Sequence, residues 1–319
     1  MQDIYNNLKQ FGRVKLNEAL AKHVTMKIGG NAKYFVMVKN NDSLVALLQF
    51  LDAEGMRYMI LGGGSNTLFS DDGYDGVVIK LQATSYKLQN NMIIADGGCS
   101  TVEIARVSMV NKLTGFEWGV GIPGTIGGAV RGNAGAMGSE MKDSIQKVEV
   151  YRDGEVIEMS RDECEFAYRD SMFKHNHDVI LRVYLALEKT ENNELAKQAI
   201  EHLQYRNKTQ PQGFASSGCI FKNPDTEKNK KQLLKHFDEQ DEKIQQFLRV
   251  GKISAGWLVE QVGLKGFQVG DAQISEKHGN FIVNKGNAQA SGILTIIEKV
   301  KEMVYTSYGI EMELEISNF

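Results

Sequence analysis

The sequence predicts a mixed α and β architecture of two or three lobes. Its 319 residues exceed what one ordinary compact core accommodates. Short apolar, β-branched runs alternate with amphipathic helical stretches along the chain. Glycine is abundant, 32 against three prolines, and much of it is clustered, which points to backbone approaching a ligand rather than to loose linkers.

Taken in order, KYFVMVK (33–39) is apolar and β-branched enough for a strand. DSLVALLQFLDAEG follows as a helix, with Asp42 as N-cap and Gly55 just past its end. RYMIL (57–61) and VVIKL (77–81) supply two more strands and complete a first lobe over 1–82. MIIA (92–95) opens a second lobe, 83–206, in which Ser100 and Glu103 spell a capping box before a helix that Gly115 ends. In KVEVYRDGEVIEM, Asp153-Gly154 is the favoured two-residue hairpin turn. DVILRVYLALE (178–188) has little polar alternation and reads as a well-buried strand.

A helix near 193–206 leads into a third lobe, 207–319. PDTEKNKKQLLKHFDEQDEKIQQFLRV (224–250) repeats apolar residues at helical spacing and is expected as an amphipathic helical insertion over 225–250. SAGWLVEQVG is a short helix between Ser254 and Gly263. Strands near 266–274 and 280–284, a long helix from Ser291 to about Tyr308 and a terminal strand, EMELEIS, follow.

Several function classes are excluded. A formal charge of -3 provides no basic field for nucleic acid. Cys99, Cys164 and Cys219 form no CxxC pair, so neither a zinc knuckle nor a dithiol redox motif is written here. The sparse, odd cysteine count argues for a reducing compartment. MQDIYNNLKQFGRVK lacks an apolar core of signal-peptide length, and no run is apolar enough to insert in a membrane, so a cytoplasmic location is expected. His175 and His177 are two ligands without a third, so no metal is expected.

GVGIPG (119–124) satisfies the dinucleotide fingerprint in letters only: no strand runs into it, and Pro123 removes a backbone N–H where a helix should offer donors. The longer segments LGGGSNTLFSDDGYDGVVI and GIPGTIGGAVRGNAGAMG are more informative. Consecutive glycines present several N–H groups to one anion, Ser65 and Asn66 add side-chain donors, and the missing GK[ST] excludes a P-loop.

LGGGSN with DGYDGVVI, GIPGTIGGAV with NAGAMG, AYRDSMF, GCIFKNP, AGWLVEQVGLKG and KHGNFIVN together resemble the ordered signature of the UDP-N-acetylenolpyruvoylglucosamine reductase family. The resemblance runs from about Thr25 to the C-terminal strand. It implies an α+β chain with the vanillyl-alcohol-oxidase/PCMH-type FAD-binding fold: two α/β lobes for the flavin and a C-terminal α+β substrate domain. It implies non-covalent FAD, with Gly62, Gly63, Gly64, Ser65 and Asn66 at the pyrophosphate and Ile122, Pro123, Gly124, Thr125, Gly127 and Gly128 along the cofactor. NADPH is the implied hydride donor, a UDP-sugar the implied substrate, and peptidoglycan precursor synthesis the implied setting. Another FAD-dependent oxidase or dehydrogenase of the same fold, or a non-catalytic flavin-binding paralogue, is the alternative.

The family's reaction delivers hydride to the terminal enolpyruvyl carbon and a proton to its neighbour. It needs a fixed cation at the carboxylate, a group to share enolic charge and a proton donor. By resemblance these are Arg169, Glu315 and Cys219. A guanidinium grips a carboxylate bidentately. Cys219 stands where the family commonly has serine, and a thiol, with reference pKa about 8.5, releases a proton more readily than a hydroxyl. Ser216 and Ser217 remain alternative donors. Lys222 and Asn223 border the substrate, with Lys208, Lys252 and Arg206 as further substrate or diphosphate ligands. The short stretch between Arg169 and Cys219 resembles the family group lacking a tyrosine-bearing substrate loop.

Overall fold

A computed structural model describes residues 2–191 and 194–319. The chain forms two compact units. One comprises the N-terminal stretch through Glu18 with Asn31–Gly64 and Tyr74–Lys208; the other comprises Ala19–Gly30, Ser65–Gly73 and Thr209–Phe319.

The first unit is built on two sheets. In one, the strands run in the order Arg13–Ala19, Asn31–Val38, Tyr74–Leu81, Tyr58–Leu61. Asn31–Val38 and Tyr58–Leu61 both pair parallel to Tyr74–Leu81, with Val36 and Ile60 each opposite Ile79. A parallel pair needs a crossover, and the helix Asn41–Ala53 supplies it. That helix buries Leu44, Leu47, Leu48 and Leu51 against Val36, Val38, Val77 and Ile79. Its cap is Asn40, which accepts from Ser43 N–H, two residues earlier than the expected Asp42; Gly55 does follow its end, at φ +59°.

The other sheet is antiparallel, in the order Glu155–Ser160, Ile145–Arg152, Val179–Ala186, Met92–Asp96, Tyr86–Gln89. Asp153 (φ +50°) and Gly154 (φ +91°) make the expected hairpin turn, in which both central residues take positive φ. Ser100 caps Thr101–Val110 through Glu103 N–H, but the Glu103 carboxylate binds Arg106 instead of completing a capping box. The helix expected near 193–206 is Leu195–Thr209, and residue 193 lies outside the described residues.

In the second unit the insertion is not one helix but two, Thr226–His236 and Glu242–Val250. Phe237 leaves the first with extended backbone, and Asp241 starts the second by accepting from Lys243 and Ile244 N–H. Leu233, Ile244 and Phe247 are buried with Leu258, Ile293, Ile297 and Val304 in one core, so the insertion is a working part of that core. Its ends meet: Thr226 N–H donates to Gly251 O, Ile253 N–H donates to Pro224 O, and Lys252 Nζ lies 2.9 Å from Asp225 Oδ2. The long helix runs Ala290–Tyr308 and ends at Gly309, φ +67°.

Candidate functional site

The first unit gathers three glycine-bearing loops. Gly62 and Gly63 follow the strand Tyr58–Leu61 and pack on the loop at 124–125. A Cβ on Gly62 would sit 2.4 Å from Thr125 Oγ1, and one on Gly63 2.4 Å from Gly124 Cα, so only glycine permits this approach. The 124–128 loop is stapled in turn to residues 97–101. Gly127 N–H donates to Gly97 O, Ile126 N–H to Cys99 O and Thr101 N–H to Gly124 O. Thr125 caps the short helix Ile126–Arg131 by accepting from Gly128 N–H at 3.3 Å. Ile122 N–H closes on Gly119 O ahead of Pro123.

Two contributors to this cradle escaped the sequence reading. Gly97 and Gly98 lie so close to Ile180 O and Ala83 O that a Cβ would fall within 2.5 and 2.4 Å of them. Lys80 donates from Nζ to Gly62 O, its one hydrogen-bond partner among the described residues. Burial pushes this amine below the ordinary lysine range, because no carboxylate offsets its desolvation. The double glycine in DGGCS and the lysine interrupting VVIKL were the available signals. Arg206, on Leu195–Thr209, lies against Gly121, with Cδ 2.6 Å from where a Cβ would stand. Lys208, a half-turn on, is exposed. Glycine-only contacts beside a carboxylate-free lysine suit a polyphosphate, so the residues present fit the FAD implied by resemblance.

Arg169 sits in the same unit on a tight turn, where Ala167 and Asp170 exchange both backbone hydrogen bonds. Its φ of +56° is left-handed, a conformation that glycine or asparagine normally supplies at this turn position. Asn133 braces the turn by donating to Ala167 O at 2.8 Å, and Lys174 Nζ donates to Arg169 O at 2.6 Å. The guanidinium donates to Gly135 O at 2.7 Å and lies over the Tyr168 ring. A strained backbone held from several sides is a feature that functional positions concentrate.

The second unit brings together Cys219 and Glu315. Cys219 is bridged to Phe281 and Phe221 to Leu314, both antiparallel. Glu315 N–H donates to Ile220 O at 2.8 Å, and Lys222 N–H donates to Glu313 O at 2.8 Å. The expected EMELEIS strand is therefore split in its pairing: 313–315 lies along 220–222, while Ser317–Asn318 pairs parallel with Thr67–Leu68. Asn66 joins this group, donating to Glu315 O at 3.0 Å and accepting from Ser317 N–H; Ser65 begins the same stretch.

Asn223 turns its Oδ1 to Ala255 N–H at 3.0 Å, which leaves its NH2 as the group to offer. Lys252 is held by Asp225, and the same contact holds the Asp225 carboxyl below the ordinary range. Lys222 Nζ lies 3.6 Å from Glu313. Ser217 Oγ is buried without a hydrogen-bond partner, whereas Cys219 is partly exposed.

An FAD binding domain family model matches residues 32–160, and the UDP-N-acetylenolpyruvoylglucosamine reductase C-terminal domain model matches 210–319. The reductase so named from Caldanaerobacter subterraneus subsp. tengcongensis is 37% identical over 96% of this chain and 93% of that protein. The chain belongs to the UDP-N-acetylenolpyruvoylglucosamine reductase family. The Bacillus subtilis reductase is 36% identical, covering 99% of this chain and 98% of its own. Among solved structures, the reductase from Thermus caldophilus matches with a TM-score of 0.77 and 32% identity, over 96% of this chain and 99% of that one. The α+β FAD-binding architecture expected from the family is thus borne out, and the two matched models between them bracket both the glycine cradle and the Cys219–Glu315 pairing.

Proposed function

We infer that this chain is the FAD-dependent, NADPH-consuming reductase that converts UDP-N-acetylenolpyruvoylglucosamine to UDP-N-acetylmuramate in peptidoglycan precursor synthesis. The observation that carries the reading is the alignment of the Cys219 segment with the Glu315 segment, in a chain that also builds a glycine-only cradle beside Lys80. FAD, when bound, supplies the hydride route from NADPH to the terminal enolpyruvyl carbon.

The protein's own residues do the rest. Gly62 to Gly64, Thr125, Gly127 and Gly128 line the cradle, with Ser65, Asn66, Ile122, Pro123 and Gly124 in the same loops, and Lys80 neutralises phosphate charge there. Arg169 grips the substrate carboxylate, and Glu315 shares the enolic charge through a carboxyl hydrogen bond. Cys219 gives its proton to the carbon next to the one that received hydride, and the thiolate recovers a proton from solvent. Asn223 offers its NH2 to the sugar nucleotide, with Lys222, Lys208, Lys252 and Arg206 supplying positive charge. Among the described residues no helix is long and apolar enough to cross a membrane. Three retained thiols fit a reducing compartment, the cytoplasm.

The test is a half-reaction. The anaerobic, FAD-loaded protein is reduced with NADPH and mixed with the enolpyruvyl sugar nucleotide. Stoichiometric reoxidation with formation of the muramate is expected; a reduced flavin that survives excess sugar nucleotide overturns the reading.

A further inference from the structure

The segment that carries Cys219 is held by a clamp that the reaction itself does not explain. Asn280 is 3% exposed. Its Oδ1 accepts from Phe221 N–H at 2.9 Å and its Nδ2 donates to Phe221 O at 2.8 Å. One carboxamide thus satisfies both backbone groups of a buried residue, a task that a neighbouring strand usually performs. The Asn280 carbonyl also accepts from Ile220 N–H at 2.9 Å. With Glu315 N–H on Ile220 O, all four backbone polar groups of the two residues after Cys219 are engaged, three of them by Asn280. Asn280 is itself anchored: its N–H donates to His278 Nδ1 at 3.2 Å. Burial holds His278 below the ordinary histidine range and so favours the neutral ring, whose Nδ1 accepts this hydrogen bond.

We propose that Asn280 is a positioning residue for proton transfer, fixing the backbone beside Cys219 so that the thiol stands at one depth and angle. The inference rests on the reading of Cys219 as proton donor. It also explains the residue type. Leucine has a similar shape and offers neither a donor nor an acceptor; aspartate keeps the acceptor for Phe221 N–H and loses the donor for Phe221 O.

The test uses Asn280→Leu and Asn280→Asp in the FAD-loaded protein. Hydrogen exchange should rise about tenfold at the Ile220 and Phe221 amides in Asn280→Leu, with the helix Ala290–Tyr308 unchanged. Flavin reduction by NADPH should stay within about twofold of wild type, while reoxidation by the enolpyruvyl sugar nucleotide slows about 100-fold. Asn280→Asp should fall between, and it carries the test should Asn280→Leu fail to fold. Equal slowing of both half-reactions marks Asn280 as merely structural and overturns the proposal, as does reoxidation at the wild-type rate despite faster exchange. A wild-type protein that the sugar nucleotide fails to reoxidise overturns the functional reading and the proposal together; a competent wild type with insensitive variants overturns the proposal alone.

Discussion

Three thiols in one chain meet two environments. Burial pushes Cys99 and Cys164 up to about 12, so they behave as small apolar fillers. Cys219 alone of the three is partly exposed. Iodoacetamide at pH 8 should therefore modify Cys219 in the native protein and reach Cys99 and Cys164 only after denaturation, as peptide mass spectrometry will read. Arg169 makes a second prediction at this scale. Its left-handed backbone is a strain that glycine would relieve. Arg169→Gly should melt within a few degrees of wild type yet lose sugar-nucleotide reduction by about 100-fold or more, in line with removal of a charge-stabilising donor. A variant that keeps turnover would detach Arg169 from the chemistry. His278 bears on stability. Its neutral ring is favoured in the folded chain, so the unfolded chain takes up the proton first as pH falls. Stability should be full above about pH 6.5 and decline below it towards the lower folded value, a slope that His278→Gln removes in urea titrations at several pH values.

Among the elements, the inserted pair of helices shows how far pattern carries and where it stops. Apolar spacing through 224–250 correctly marks which residues go inward: Leu233, Ile244 and Phe247 are all buried. The spacing continues across Phe237 without a visible interruption, yet the chain turns there, because Asp241 offers its carboxylate to two N–H groups and starts a new helix. Since Phe247 packs on Trp257 inside the core, Phe247→Ala should lower unfolding free energy by about 3–5 kcal/mol. A loss below about 1 kcal/mol in urea melts would make the insertion a surface addition instead. The terminal EMELEIS run has a similar history. Its alternation places Met312 and Ile316 inward, but its hydrogen bonds go to two different segments, 220–222 and 66–68. No local pattern announces that.

For the whole molecule, the glycine loops, the Asp153-Gly154 turn and the family signature were legible because each is written in consecutive residues. What escaped depends on partners distant in the chain. Lys80 reads as one lysine in a strand until its Nζ meets Gly62 O, and Asn280 reads as the first residue of a strand until its side chain meets Phe221. The units themselves are interleaved: 19–30 and 65–73 belong with 209–319, an arrangement no composition shift marks. Lys80 ties this level to cofactor binding. Removing FAD should lower the melting temperature, since a ligand bound only by the folded state stabilises it. Lys80→Met should weaken FAD binding about tenfold, measured by recovery of flavin fluorescence on dilution, with raised salt narrowing the gap.

The central claim is that a thiol completes a reaction which hydride begins. Single-turnover reoxidation of the NADPH-reduced protein by the enolpyruvyl sugar nucleotide tests it most directly, with Cys219→Ala and Cys219→Ser side by side. Loss of about 100-fold or more in the alanine protein, with substantial recovery in the serine protein, is the predicted result. An alanine protein that turns over as fast as wild type, or a loss that appears instead in Ser216→Ala or Ser217→Ala, contradicts it.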